Sequence, residues 1–200
     1  MAPSVGRPLG FERDAALDAV VDAFWTHGYA GATTSLLEAS TGLARSSLLN
    51  TFGPKDRLCL AAVDRYQERM DAWLVAPMAS GEEGVADLER FFDVLASLKE
   101  SPPGSSGCLV VNLSAEAPAR LEGMAQRVER YRSHLRDGFV AALGRAERLG
   151  EITPGSRAQR ADLLLGIAVA VNWTARSVSA QEAQRLARSA AALPREWAGC

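Results

Sequence analysis

The chain predicts an all-α protein, a compact N-terminal three-helix unit joined by a fourth helix to a larger helical body. Three observations predict it. Apolar residues recur at three- and four-residue steps in nearly every segment between breakers. Within residues 33–52 (TTSLLEASTGLARSSLLNTF), two short helices meet at a tight Thr41-Gly42-Leu43 turn. The short apolar run that could be a strand, 108–115, has no nearby segment fit to pair with it.

The elements follow in order. A first helix spans 11–27, with Leu17, Val20, Val21 and Phe24 at helical spacing and Gly28 as its stop. Thr33 caps a second helix, 34–40, through its hydroxyl, with Leu37 on the apolar side. Gly42 supplies the left-handed residue that reverses the chain. A third helix, 44–51, sets Leu48 and Phe52 on one face and Arg45, Ser46 and Asn50 on the other. Pro54 suits the first position of a fourth helix, 54–75, which carries Leu58, Ala62, Tyr66, Met70 and Trp73 and is ended by Pro77. A fifth, 82–99, turns Val85, Leu88, Phe91, Phe92 and Leu95 inward.

SPPGSSG, 101–107, is the strongest breaker in the chain. The run 108–115 is strand-like in composition and is read as a helix for want of a partner. Pro118 starts a seventh helix to about residue 149, with Leu121, Met124, Val128, Tyr131, Leu135, Phe139 and Leu143 inward. Its arginines (Arg120, Arg127, Arg130, Arg132, Arg136, Arg145, Arg148) read as solvated surface. The eighth, 156–178, contains LLLGIAVAVNW. A helix apolar all round must be covered all round, which points to a second subunit. A ninth, 180–193, has a small-residue stripe of Ala183, Leu186, Ala187, Ala190 and Ala191.

Composition bounds the function. Apolar residues make up 48% and charged ones 23%, as in an ordinary globular protein. No window approaches the ~18 apolar residues of a membrane span, and MAPSVGRPLG lacks the apolar core of a signal peptide. Three cysteines (Cys59, Cys108, Cys200) show no metal-type spacing and fit a reducing cytoplasm. No metal, cofactor or membrane is expected, and the expected location is cytoplasmic. An enzyme is the weaker class: His27 and His134 lie in unrelated helices, and no nucleophile-elbow, phosphate-loop or zinc pattern occurs.

The two short helices have two readings. One is an ordinary αα-corner in a helical core. The other is a helix-turn-helix, whose second helix enters a DNA major groove. Charge urges caution, since residues 1–60 carry five basic side chains against six acidic ones, where a nucleic-acid module usually shows a basic face. The stripe Asp14, Asp18 and Asp22 can face away from DNA, while Arg45 and Lys55 open the two helices nearest the groove.

The ordered set ALDAVVDAFWTHGYAGATT, TGLARSSLLNTF and GPKDRL resembles the tetracycline-repressor (TetR) family of bacterial one-component regulators, over roughly residues 11 to 60. Gly107 to Asn112 (GCLVVN) also resembles a short signature of one TetR subgroup. The resemblance implies a helix-turn-helix DNA-binding domain at 9–54 and a helical effector-binding and dimerisation domain at 55–200. It implies a homodimer whose last two long helices pair as a four-helix bundle, with Leu163, Gly166, Ile167, Ala170, Trp173, Leu186 and Ala190 as interface candidates. A double-stranded, pseudo-palindromic DNA operator follows, with half-sites roughly 34–36 Å apart. A small-molecule effector, unidentified by sequence, would release a repressor from it. Carried over residue by residue, Thr33 contacts phosphate, Arg45 reads a base edge, Ser46 and Asn50 read bases or phosphates, and Lys55 clamps the backbone. Ser47, Leu49 and Thr51 complete that face. Trp73, Phe91, Phe92, Leu95, Cys108, Asn112, Met124, Val128 and Tyr131 are candidates for the effector pocket, and Cys108 for sensing an oxidant or electrophile. Two positions depart from the family: Ala44 where relatives have Ser or Thr, leaving a cap missing, and Leu49 where they have Tyr. Those departures keep open an alternative, a small-molecule-binding helical protein without DNA binding.

Overall fold

The computed structural model describes residues 9–116 and 121–198, and among them every regular element is helical. The N-terminal MAPSVGRP, Pro118, Arg120 and Cys200 lie outside the described residues. α1 (Leu9–Gly31) is broken at Gly28, with φ 69° and ψ −179°. A Cβ added there would lie 2.0 Å from Glu116 Oε2, so both the backbone and the approach require glycine. α2 (Thr34–Thr41) and α3 (Arg45–Phe52) follow, joined through Gly42 at φ 69° and ψ 8°.

α4 (Lys55–Met70) starts one residue later than the sequence predicts, with Pro54 in the cap position. Pro77 does not end this helical path. The chain runs on through a π-helical turn, Asp71–Val75, into α5 (Ala76–Ser80). A proline ring collides with the carbonyl four residues back and offers no N–H. The wider turn, closed by Ala76 N–H on the Asp71 carbonyl, relieves that collision just before Pro77.

α6 (Gly84–Ser97) is followed by the SPPGSSG loop. Then come α7 (Leu109–Glu116), α8 (Met124–Arg148), α9 (Arg157–Ser177) and α10 (Ala180–Ala192). The apolar run 108–115 is thus helical, from Leu109 on. Leu121 precedes α8 in a turn and is nonetheless buried.

Two apolar cores organise these helices. The first gathers α1 to α4, the start of α7, Leu121 and Met124 around Phe24 and Val63. The second gathers the π turn, α5, α6, α8, α9 and α10 around Phe92 and Phe139. Each fully buried Phe or Leu contributes about 1.5–3 kcal/mol. The first core runs well past residue 54, because α4 supplies Leu58, Cys59, Ala62, Val63, Tyr66 and Met70 to it.

The charged stripes are partly paired within the chain. Asp18 and Asp22 of α1 face α4. Arg65 of α4 grips Asp18 through Nε and Nη2 at 2.8 and 2.9 Å, and Arg69 reaches Asp22 at 3.2 Å. The Arg65 guanidinium holds the Asp18 carboxyl below its usual range. Of the α8 arginines, Arg130, Arg132 and Arg148 are exposed as the sequence predicts, while Arg127, Arg136 and Arg145 are half-buried in pairs with neighbouring helices. Arg127 and Arg130 pair with Asp64 of α4 at 2.6 and 3.1 Å, and Arg136 with Asp162 of α9 at 2.6 Å. Arg145 is half-buried and donates to Asp87 of α6 at 2.8 Å and to the Met78 and Ala79 carbonyls. α8 packs on α4, α5, α6 and α9 and keeps one exposed stripe that includes Glu129, Arg130, Arg132 and Asp137.

Candidate nucleic-acid interface and effector cavity

The head formed by α2 and α3 is built from caps and anchors. Thr33 Oγ1 accepts from Leu36 N–H at 3.2 Å, which fixes the start of α2. In the turn, Thr41 Oγ1 accepts from Leu43 N–H at 3.2 Å and donates to the Leu37 carbonyl at 2.7 Å. Ala44 caps α3 with no side-chain bond. Glu38 of α2 fills that gap, its Oε1 accepting from the Arg45 N–H at 2.7 Å.

Leu48 and Phe52 are buried and hold α3 against the first core. Arg45, Ser46, Leu49, Asn50 and Thr51 are exposed, and Ser47 is half-buried. Leu49 is 53% exposed, an apolar side chain held in water on this face. Thr33 is exposed at the α2 start, and the Lys55 ammonium sits 4.7 Å from the Tyr29 ring centre. The Tyr29 hydroxyl donates to Asp56, next to Lys55 in sequence. The tip therefore presents one guanidinium, small hydroxyls, an amide and one apolar side chain, the chemistry that reads base edges and phosphates.

Behind the head lies a cavity of about 280 Å³ between α1, α4, α6, α7, α8 and α9. Phe91, Leu95, Cys108, Val128 and Tyr131 line it. Trp73, Phe92, Asn112 and Met124 do not. Trp73 is 65% exposed and borders an adjoining, more open groove of about 760 Å³ with Pro102 and Pro103, which shares Trp25, Met70 and Leu98 with the cavity. Phe92 is wholly buried against Phe139, ring centres 6.1 Å apart. Met124 packs in the first core. Asn112 Nδ2 donates to the Ser106 carbonyl at 2.7 Å, so its amide holds the SPPGSSG loop.

The side chain that sequence reasoning missed is Lys99. It is 1% exposed, and its Nζ donates to the Gly104 carbonyl at 3.1 Å, the Gly107 carbonyl at 3.3 Å and Asn172 Oδ1 at 2.7 Å. Burial pushes its pKa down to about 8. Trp25 of α1 donates to the same Gly107 carbonyl at 2.9 Å, linking the head to the cavity wall through one oxygen. The Trp25 ring meets Tyr66 edge-on at 4.8 Å, and the Tyr66 hydroxyl donates to Cys108 Sγ at 3.4 Å. Burial pushes the Tyr66 and Tyr131 phenols well above their ordinary range. One signal was available in the sequence: the chain has twenty arginines and only two lysines, Lys55 and Lys99.

α9 has two faces. Ala161, Leu164, Leu165, Ala168 and Val171 are buried inside the subunit. Leu163 and Trp173, 49% and 58% exposed, lie with Gly166 and Ala170 on the other side, beside half-buried Ile167. On α10, Leu186 is half-buried and Ala190 is buried in the second core with Ala183, Ala187 and Ala191. That small-residue stripe packs within the chain. Among the described residues no helix is long and apolar enough to cross a membrane, and no cluster of His, Cys, Asp or Glu could hold a metal ion.

The chain is similar to known proteins in both halves. Residues 84–191 match the family model described as tetracyclin repressor-like, C-terminal domain. A stretch of 110 residues is 36% identical to the HTH-type transcriptional repressor ComR of Escherichia coli K12, covering 54% of this chain and 52% of ComR. This chain thus spans about half the length of that relative. The crystal structure of a TetR transcriptional regulator from Chloroflexus aurantiacus superposes with a TM-score of 0.77 at 25% identity, over 91% of this chain and 93% of the other. The regulator CifR, solved with 26-base-pair operator DNA, shares the fold with a TM-score of 0.78 at 21% identity, over 96% of this chain and 100% of CifR. The all-helical order, the helix-turn-helix at 34–52 and the matched C-terminal body make one result: this chain belongs to the TetR family of transcriptional regulators.

Proposed function

We propose that this regulator is a repressor that binds a pseudo-palindromic operator as a homodimer and is released by a small molecule bound in the cavity behind its head. In this reading residues 9–54 read DNA, and 55–200 bind the effector and dimerise. Arg45 contacts a base edge, where a bidentate guanidinium contributes about 1–3 kcal/mol of discrimination. Thr33 and Lys55 bind phosphate, and Ser46, Ser47, Leu49, Asn50 and Thr51 fill the groove. The observation that carries the reading is the orientation of α3: Leu48 and Phe52 face inward, and Arg45, Ser46, Leu49, Asn50 and Thr51 are exposed. The operator complex of CifR, a protein of the same fold, supports it.

Release would follow from the cavity's position. Tyr66 and Met70 of α4 and Leu74 of the π turn form one wall, so an occupant presses on the helix that carries the head. The Arg65–Asp18 and Arg69–Asp22 pairs fasten α1 to that helix. An effector favouring the non-binding geometry by ~1–3 kcal/mol gives useful control. Dimerisation through the outer face of α9 is supported by exposed Leu163, Gly166, Ala170 and Trp173, an apolar stripe beside half-buried Ile167.

One observation favours the alternative of a ligand-binding protein without DNA binding. Glu38 sets a carboxylate at the N-terminus of α3, where phosphate would otherwise gain from the helix dipole. Selection of bound duplexes from random sequence decides between them. The regulator reading expects enrichment of two inverted half-sites roughly one helical turn apart. No enrichment leaves the alternative.

A further inference from the structure

We propose that the cavity takes a small, largely apolar carboxylate whose anionic head pairs with Lys99. This rests on the reading of the cavity as the effector site and names the chemistry of its occupant. The Lys99 ammonium is buried, and all three of its bonds go to neutral oxygens, those of Gly104, Gly107 and Asn172. A buried cation without a counter-charge is costly, and an anion delivered by a ligand removes that cost. Among the described residues no carboxylate lines the cavity, and its other charged lining residue, Arg132, is also basic.

The remaining wall asks for an apolar body. Met70, Leu95, Val128, Leu135, Leu165 and Ala168 supply most of it, with the Tyr66 and Tyr131 hydroxyls as uncharged polar groups. About 280 Å³ lies just below the usual ligand-site volumes, which start near ~300 Å³, so the occupant is small. The titratable and charged groups around the cavity are Tyr66 from α4, Cys108 beside α7, and Tyr131 and Arg132 from α8. α1 and α9 contribute none. A carboxylate accepting hydrogen bonds from Lys99 Nζ competes with the Gly107 carbonyl, the oxygen that also anchors Trp25 of α1. Occupancy at Lys99 is thereby felt at the head.

The test is titration calorimetry of the full chain with phenylbutyrate and with its amide, two probes of one shape and different charge. At about pH 7 the acid binds roughly tenfold more tightly than the amide, the contribution of one charge-assisted pair. In Lys99→Met that preference disappears while the amide still binds. In the wild type the preference also fades as pH rises through about 8, where Lys99 discharges, and the amide's affinity holds. If Lys99→Met fails to fold by circular dichroism, the pH series decides alone. Equal or weaker binding of the acid, binding of neither probe, or a preference that survives in folded Lys99→Met overturns the proposal. Duplex selection run on the same protein keeps the two readings apart. Selected DNA without acid preference removes only the carboxylate, and acid preference without selected DNA removes only the operator.

Discussion

The Glu38 carboxylate, carried by α2, accepts a hydrogen bond at 2.7 Å from the backbone N–H of Arg45, the first residue of α3. The cap that Ala44 lacks is supplied across the turn. One contact therefore caps the start of α3 and ties it to α2. Glu38→Ala is expected to lower stability by about 1 kcal/mol, the usual value of a cap. Ala44→Ser should restore much of it in the double variant. Glu38→Gln, which retains an acceptor without the charge, should keep stability and strengthen DNA binding. Urea unfolding with a duplex titration reads both; a Glu38→Ala variant as stable as the wild type would remove the cap from the argument.

Lys99 makes a prediction about pH. Its pKa falls from 10.5 in a solvated chain to about 8 in the fold. The unfolded chain therefore holds the proton more tightly, and stability from this group rises as pH climbs from about 8 toward 10.5. Cys59 opposes it from about pH 9 upward, because burial raises its thiol to about 12. The net rise is thus clearest between about pH 8 and 9, and Lys99→Met should lack it. Thermal unfolding across that window, wild type against variant, checks the sign.

Trp25 tests the link from cavity to head. Trp25→Phe keeps an aromatic ring against Tyr66 and deletes the donor to the Gly107 carbonyl. The expected cost is about 1 kcal/mol of stability. The more telling readout is the effect of a cavity ligand on DNA affinity, which should shrink in Trp25→Phe while ligand affinity changes less. An unaltered ligand response would place the coupling elsewhere.

The outer face of α9 is the expected dimer surface. A Cβ at Gly166 meets nothing within 4 Å in the single chain. Gly166→Trp should therefore leave the subunit folded while obstructing a partner, and a charge at exposed Ala170, Ala170→Asp, should do the same. Sedimentation should show monomers for both, with loss of DNA shift at the same protein concentration. Dimers that persist would move the interface away from α9.

How far the sequence reaches is clear from individual residues. Thr33, Gly42, Leu37, Leu48 and Phe52 were readable because caps, left-handed glycines and helical periodicity are local properties. Glu38, seven residues from its partner, was not, since its role depends on how two helices cross. Pro77 misled because a helix ladder can widen by one residue and so admit a proline. Arg127, Arg136 and Arg145 read as solvated because their partners on α4, α9 and α6 are distant in sequence. Lys99 was hidden by the rule that lysines sit at the surface. Its burial comes from the loop of 101–107 folding back over its ammonium.

The central claim is that the exposed face of α3 reads DNA sequence through Arg45. The direct measurement compares Arg45→Ala with the wild type on a selected duplex and on a scrambled duplex of equal length, at one salt concentration. The expected result is a loss of roughly 1–3 kcal/mol on the selected duplex, little change on the scrambled one, and an unaltered oligomeric state. Equal affinity of the variant and the wild type for the selected duplex would contradict it.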